Sequence, residues 1–182
     1  SRREYTLYVK NLETGELYAD VIPKTTGGAT WANDNKTLLY TKKDPVTLRS
    51  SQIYKHVLGT DSSEDQMIYE EKDETFSCFV YKTKSKKYLI IGSVATESAE
   101  YSFLDADNPN GEFKMIQPRV NGLEYSVAHY QNDFYIVTNK DAKNFKLVKA
   151  PISAPGMDQW KDVIEHRDDV LLEGIEIFKD YL

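Results

Sequence analysis

The chain has a single cysteine, Cys78, in 182 residues, so no disulfide within it can hold the fold. That fits a reducing compartment; the cytoplasm is the expectation, with the periplasm as the alternative. No apolar run approaches the roughly 20 residues that cross a bilayer, and Ser1-Arg2-Arg3-Glu4 opens without the apolar core of a secretory signal. No membrane association is expected. Neither sign of charge dominates: 23 Lys and Arg oppose 29 Asp and Glu, for a net charge of −6. Without a basic stripe to neutralise phosphates, nucleic acid is not an expected partner.

Catalytic signatures are missing too. "GSVATES", residues 92–98, lacks the second glycine and the following helix of a serine elbow. His56, His129 and His166 fall in three separate segments, so they do not assemble into one base-and-orienter pair. Cys78 sits in the aromatic run "FSCFVY", where a buried, inert thiol is expected. No Cys/His/Glu cluster has zinc spacing, and no glycine-rich loop has phosphate-binding form. "DADNPNGE", Asp105 to Glu112, invites a calcium reading. Pro109 occupies the fifth ligand position, however, and Gly111 falls one place late; the run reads as a turn. Metals and cofactors are therefore expected to be none, and the chain itself is expected to be inactive.

Aromatic residues and a repeat are what the sequence does have. Thirteen Tyr and seven Phe favour strand over helix. Leu7, Ile53, Tyr101 and Leu147 occupy matching strand-like segments 46, 48 and 46 residues apart. Leu39, Ile90, Ile136 and Leu182 form a second series at 51, 46 and 46. Ile68, Ile116 and Ile164 form a third, 48 apart. Each period opens with a strand ("GATWA", "FSCFVY", "EYSVAHY", "GIEIF"), turns on a short polar segment and continues through three more strands. Four antiparallel strands per period of this length describe a β-propeller blade. The expected fold is all-β: a partial propeller of three to four four-stranded antiparallel blades. The pattern starts inside a third strand and stops as a second strand begins, so the chain is expected to be part of a larger ring. Each blade needs neighbours to bury both faces, so the isolated chain is expected to self-associate through its exposed blade surfaces.

Six segments carry a family resemblance: "SRREYTLYVKNLETGE", "WANDNKTLLYTKKDPVTLRSSQIYKHVLGT", "DQMIYEEKDETF", "EYSVAHYQNDFYIVTN", "AKNFKLVKAP" and "LLEGIEIFKDYL". In order and along essentially the whole chain, they resemble the propeller of the oligopeptidase B (protease II) branch of the prolyl oligopeptidase family of serine peptidases. The resemblance implies that residues 1–182 belong to a seven-bladed propeller capping a C-terminal α/β-hydrolase domain, which lies outside this chain and carries the Ser-Asp-His triad. It also implies short peptides as substrates, cleaved after Arg or Lys, with the propeller restricting access.

Within the chain, the loops from fourth to first strands and those from second to third strands should share one face. If that face meets the hydrolase domain, Asp73, Glu74, Arg119, Arg167 and Asp169 are the candidates for interdomain or gating contacts. Arg3, in "SRREY", joins them because the resemblance places an arginine there near the interdomain cleft. Two alternatives stay open: a non-catalytic propeller used as a protein-binding scaffold, and a sibling peptidase with prolyl or acylaminoacyl specificity.

Overall fold

The structure, a computed structural model, describes residues 3–182, which form thirteen strands and two single-turn 3-10 helices. The strands make three antiparallel sheets arranged in sequence order. The first contains β1 (Tyr5–Lys10), β2 (Leu17–Trp31), β3 (Thr37–Lys43), β4 (Ser50–Val57) and β5 (Gln66–Glu70). The second contains β6 (Ser77–Lys82), β7 (Tyr88–Val94), β8 (Ala99–Asp105) and β9 (Lys114–Gln117). The third contains β10 (Tyr125–Tyr130), β11 (Asp133–Thr138), β12 (Lys146–Pro151) and β13 (Lys161–Ile164). These are meandering blades of a partial β-propeller.

The repeat series mark the blade cores. Leu39, Ile90 and Ile136 are fully buried on the second strands of their blades, and Ile53 and Leu147 on third strands. The cores lie between blades as well as within them. Ile53, Cys78 and Ile91 pack together across the first and second blades, as do Leu39, Leu89 and Leu104. Tyr101, Phe103 and Ile116 meet Tyr125, Phe134 and Ile136 across the second and third. Aromatic rings interlock edge to face there, with Phe103 and Phe134 centroids 5.0 Å apart. Gly92 makes room in the middle of the second blade. Its cross-strand partners are Phe79 and Tyr101, and a Cβ on Gly92 would come within 2.8 Å of the Tyr101 ring.

The blade pattern meets two exceptions. The opening strand "GATWA" is the second half of a longer one, β2. From Leu17 to Thr25 β2 pairs with β1, and from Thr25 to Trp31 with β3, Thr25 facing Tyr5 on one side and Lys42 on the other. It is thus the last strand of one blade and the first of the next, bent where the register shifts between Thr25 and Ala29. Thr25 Oγ1 donates to the Tyr5 carbonyl at 3.1 Å and accepts from the Gly27 amide at 3.1 Å. Gly27, with φ +89°, lies against the Tyr5 ring and takes a backbone shape other residues resist.

The second exception is "GIEIF", residues 174–178, which forms no strand. Its ladder partner by the repeat would be Tyr181-Leu182, two residues long, and the Phe178 amide instead bonds back to the Tyr181 carbonyl at 2.8 Å. Ile177 is nevertheless buried, beside Tyr81, Thr83 and His129. The alternation reported a side-chain face, while a ladder also needs a backbone partner.

Candidate functional site

The loops from fourth to first strands and from second to third strands converge, and one arginine organises them. Arg119 follows β9. Its Nη2 lies 2.6 Å from Glu71 Oε2 and 2.9 Å from Glu100 Oε1, and its Nη1 lies 3.9 Å from Asp73 Oδ2. Its backbone amide also donates to Glu100 Oε2 at 3.1 Å, and its guanidinium sits 3.9 Å from the centre of the Phe76 ring. One cation therefore joins the end of β5, the loop after it and β8.

Glu71 is the buried member, 5% exposed, and both its oxygens accept hydrogen bonds. Oε2 accepts from Ser93 Oγ at 2.5 Å and from the Tyr69 hydroxyl at 3.0 Å, and Oε1 accepts from the Asp73 amide at 2.8 Å. Burial opposes the Glu71 charge. Hydrogen bonds from Arg119, Ser93, the Asp73 amide and Tyr69 outweigh it and bring the pKa down to about 2. Arg119 is held protonated, chiefly by Glu100 and then by Glu71 against the cost of its own burial. The hydroxyl and amide of Thr75 lower the pKa of Asp73.

Arg49, in the loop between β3 and β4, braces this assembly from behind. Its Nη1 donates to the Phe76 carbonyl at 2.5 Å and its Nη2 to the Glu71 carbonyl at 3.0 Å. Above the network lies an open cleft of about 510 Å³ lined by Asp73, Phe76, Glu97, Ser98, Arg119 and Asn121, among others. On its lining Asp73 and Glu97 outnumber Arg119, so the cleft is weakly acidic at its lip and apolar along the Phe76 wall. Such a surface suits electrostatic docking of a cationic group and shows no nucleophile–base pair for bond cleavage.

Of the residues singled out in the sequence, Asp73 and Arg119 come together here. Glu74 is exposed on the same loop but outside the network. Arg167 and Asp169 form their own forked ion pair at 3.1 and 2.8 Å. They lie on the loop after β13, where Asn144 Nδ2 donates to the Arg167 and Asp168 carbonyls. Arg3 is exposed, and its carbonyl accepts from Lys43 Nζ at 3.0 Å. Sequence reasoning missed Glu71, Glu100 and Ser93. Alternation gave no signal for Glu100, which it places on the face opposite Ala99 and Tyr101.

A second polar assembly lies toward the turn between β4 and β5. His56 is completely buried. Its Nδ1 is 2.7 Å from Asp65 Oδ1 and its Nε2 is 3.0 Å from Asp20 Oδ1. Tyr40 donates to Asp65 Oδ2 at 2.7 Å. His129, the remaining buried imidazole, meets Ser85 Oγ at 2.7 Å.

Comparison with known proteins matches residues 1–182 to the family described as prolyl oligopeptidase, N-terminal beta-propeller domain. The chain is 40% identical over 181 residues to a dipeptidyl aminopeptidase BI of Pseudoxanthomonas mexicana, covering 99% of this chain and 25% of that protein. It is 33% identical to Protease 2 of Moraxella lacunata, covering 98% of this chain and 26% of the relative. Oligopeptidase B from Leishmania major superposes with a TM-score of 0.89 at 34% identity, covering 95% of this chain and 24% of that one. The closed, antipain-bound oligopeptidase B of Trypanosoma brucei gives 0.85 at 29% identity, covering 97% of this chain and 25% of that one. The chain thus spans about a quarter of the length of these relatives. Matched from its first residue to its last by the family's propeller, and sharing its blades with solved oligopeptidases B, the chain belongs to the prolyl oligopeptidase family as part of its N-terminal β-propeller domain.

Proposed function

We propose that this chain is the access-restricting part of a serine peptidase that cleaves short peptides after Arg or Lys, and that its Arg119 face turns toward the catalytic α/β-hydrolase domain. The whole-length likeness to the family's propeller carries this reading. The acidic-lipped cleft supports it independently, because a cationic peptide or a basic residue of a facing domain is drawn to that surface. The chain supplies no nucleophile; its part is to hold a rigid loop face over the catalytic centre so that only flexible peptides enter. In that setting Asp73 and Arg119 are contact residues at the cleft, while Arg3, Glu74, Arg167 and Asp169 make any contact with the catalytic domain away from it.

A second reading follows from the 40% identical relative, whose name describes release of dipeptides. Both readings are tested by assaying the full-length protein on chromogenic peptides ending in Arg, Lys or Pro, and on dipeptide conjugates with free and blocked N-termini. Cleavage of blocked peptides after Arg and Lys supports the oligopeptidase reading. Activity confined to free N-termini replaces it with the dipeptidyl reading, and no activity on any substrate sinks both.

The chain produced alone is expected to self-associate. Tyr5, Tyr8, Leu17 and Val21 on one side and Val163, Ile164, Leu171 and Phe178 on the other are substantially exposed, forming apolar surface that a monomer rarely leaves uncovered. A monomeric mass by light scattering at micromolar concentration would contradict this.

A further inference from the structure

The Asp20–His56–Asp65 assembly has a protonation state dictated by geometry. Carboxylates only accept hydrogen bonds, and a neutral imidazole carries one N–H. Both ring nitrogens of His56 face carboxylate oxygens, at 2.7 and 3.0 Å, so the pair of contacts is satisfied by imidazolium. Tyr40, on β3, already donates its hydroxyl to Asp65. Its ring stacks on Tyr54 at 5.8 Å, and Lys42 lies 4.3 Å from the centre of the Tyr54 ring. Asp20 from β2 and Asp65 from the segment before β5 are the charged groups that touch the imidazole.

The assembly fastens two blades together. Asp20 lies on the half of β2 that pairs with β1, whereas His56, Asp65 and the connecting loop belong to the blade of β3 to β5. Asp20 Oδ1 also accepts from the Gly59 amide at 2.5 Å, and Ser62 Oγ donates to the Val21 carbonyl at 2.9 Å. The other two junctions are fastened differently. Asn33 joins the first and second blades by donating to Asp107 and the Lys86 carbonyl, both at 2.8 Å. Tyr81 joins the second and third through the Val127 carbonyl at 2.7 Å. His129, beside it, meets at Nδ1 a hydroxyl that donates or accepts equally well, and its Nε2 is buried without a partner among the described residues; no carboxylate holds a proton on this ring, and burial lowers its pKa.

We propose that the His56 clamp is a pH-sensitive clasp between two blades: as the pH rises, loss of the His56 proton detaches the 57–65 loop from Asp20 and frees the outer half of β2. Burial disfavours the imidazolium, but hydrogen bonds and charge from Asp20 and Asp65 prevail and raise its pKa above the usual value. The clasp is therefore closed below the ordinary histidine range and opens as the pH passes the raised value. Deprotonation would leave a single N–H, kept toward the nearer Asp65, and turn the Nε2 lone pair toward the buried Asp20 carboxylate; that repulsion drives the release.

Hydrogen exchange measured by mass spectrometry on the full-length protein from pH 6 to 9, corrected for the intrinsic exchange rate, tests this. Protection of peptides spanning 57–65 is expected to fall by roughly tenfold or more across that range, while peptides spanning 106–111, at the Asn33 junction, keep theirs. His56→Gln should already be loosened at pH 6 and show no pH trend. Asp65→Asn, which leaves the ring one carboxylate, should move the fall to lower pH. Flat protection of 57–65 in the natural protein overturns the proposal, whether or not either variant folds. So does a fall that survives His56→Gln, or an Asp65→Asn transition that stays in place.

Discussion

Two cations in this chain are each clamped by acids, yet they are built for opposite kinds of permanence. Arg119 sits on the loop face, 31% exposed in its side chain, between Glu71 and Glu100. His56 is sealed between Asp20 and Asp65 near the turn from β4 to β5. A guanidinium stays charged at any pH a protein survives, so the first clamp depends on its acids. An imidazole gives up its proton near neutrality, so the second depends on its base. The same architecture yields a fixed joint at one place and a titratable one at the other. The choice of cation, more than the number of contacts, decides which.

The largest effect should come from removing the fixed cation. Arg119→Met leaves Glu71 buried without its ion-pair partner and is expected to cost about 3–4 kcal/mol, equally at pH 6 and pH 9, in urea unfolding of the propeller within the full-length protein. A cost below 1 kcal/mol would mean that Ser93 and Tyr69 suffice for Glu71. Neutralising the acid instead, Glu71→Gln, should cost about 2–3 kcal/mol at pH 7. Because the Glu71 pKa is depressed to about 2, its contribution is complete above the ordinary carboxylate range. It should vanish as the pH drops through that value, so natural and variant thermal midpoints converge in acid. Parallel curves down to pH 2 would refute the assignment.

His56→Gln should cost about 2 kcal/mol at pH 6. Here the sign reverses: the raised pKa of His56 makes its contribution greatest on the acid side, so the penalty shrinks as the pH rises. A penalty that grows with pH, read from paired denaturation series, would make His56 a neutral structural residue. The smallest effect belongs to Lys84 and Glu176, an ion pair with both side chains about 60% exposed. Lys84→Ala should leave the urea midpoint essentially unchanged. A clear drop would show that residues 175–178 are anchored more firmly than exposed charges allow.

The fold was largely legible because blades repeat. Ile53, Tyr101 and Leu147 mark equivalent buried positions on third strands, and a single period aligns them. On fourth strands Ile116 is buried and Ile68 half-buried, but their counterpart Ile164 is 47% exposed on β13. Periodicity identifies the equivalent position, and a packed neighbour decides its burial. The outer half of β2 escaped notice since "LYADVIPK" carries a charge at Asp20 and a proline at Pro23, and only pairing with β1 reveals it. The site was legible as a set of loops but not as a network. Glu71 follows another glutamate in a charged run that looks solvated. Its burial depends on Arg119, 48 residues away, and on Ser93. Pairings over such distances leave no trace in the local pattern of one sequence.

The undivided β2 has a mechanical meaning. Where blades are joined by a loop, slack in the connection lets neighbouring sheets splay apart before any ladder is strained. Here the backbone runs taut from one sheet into the next, so prying these two blades apart would shear hydrogen bonds against β1 and β3 at once. While the His56 clasp is closed, any opening motion is then steered toward the loop-linked seams farther along the chain, with the first pair of blades moving as one plate.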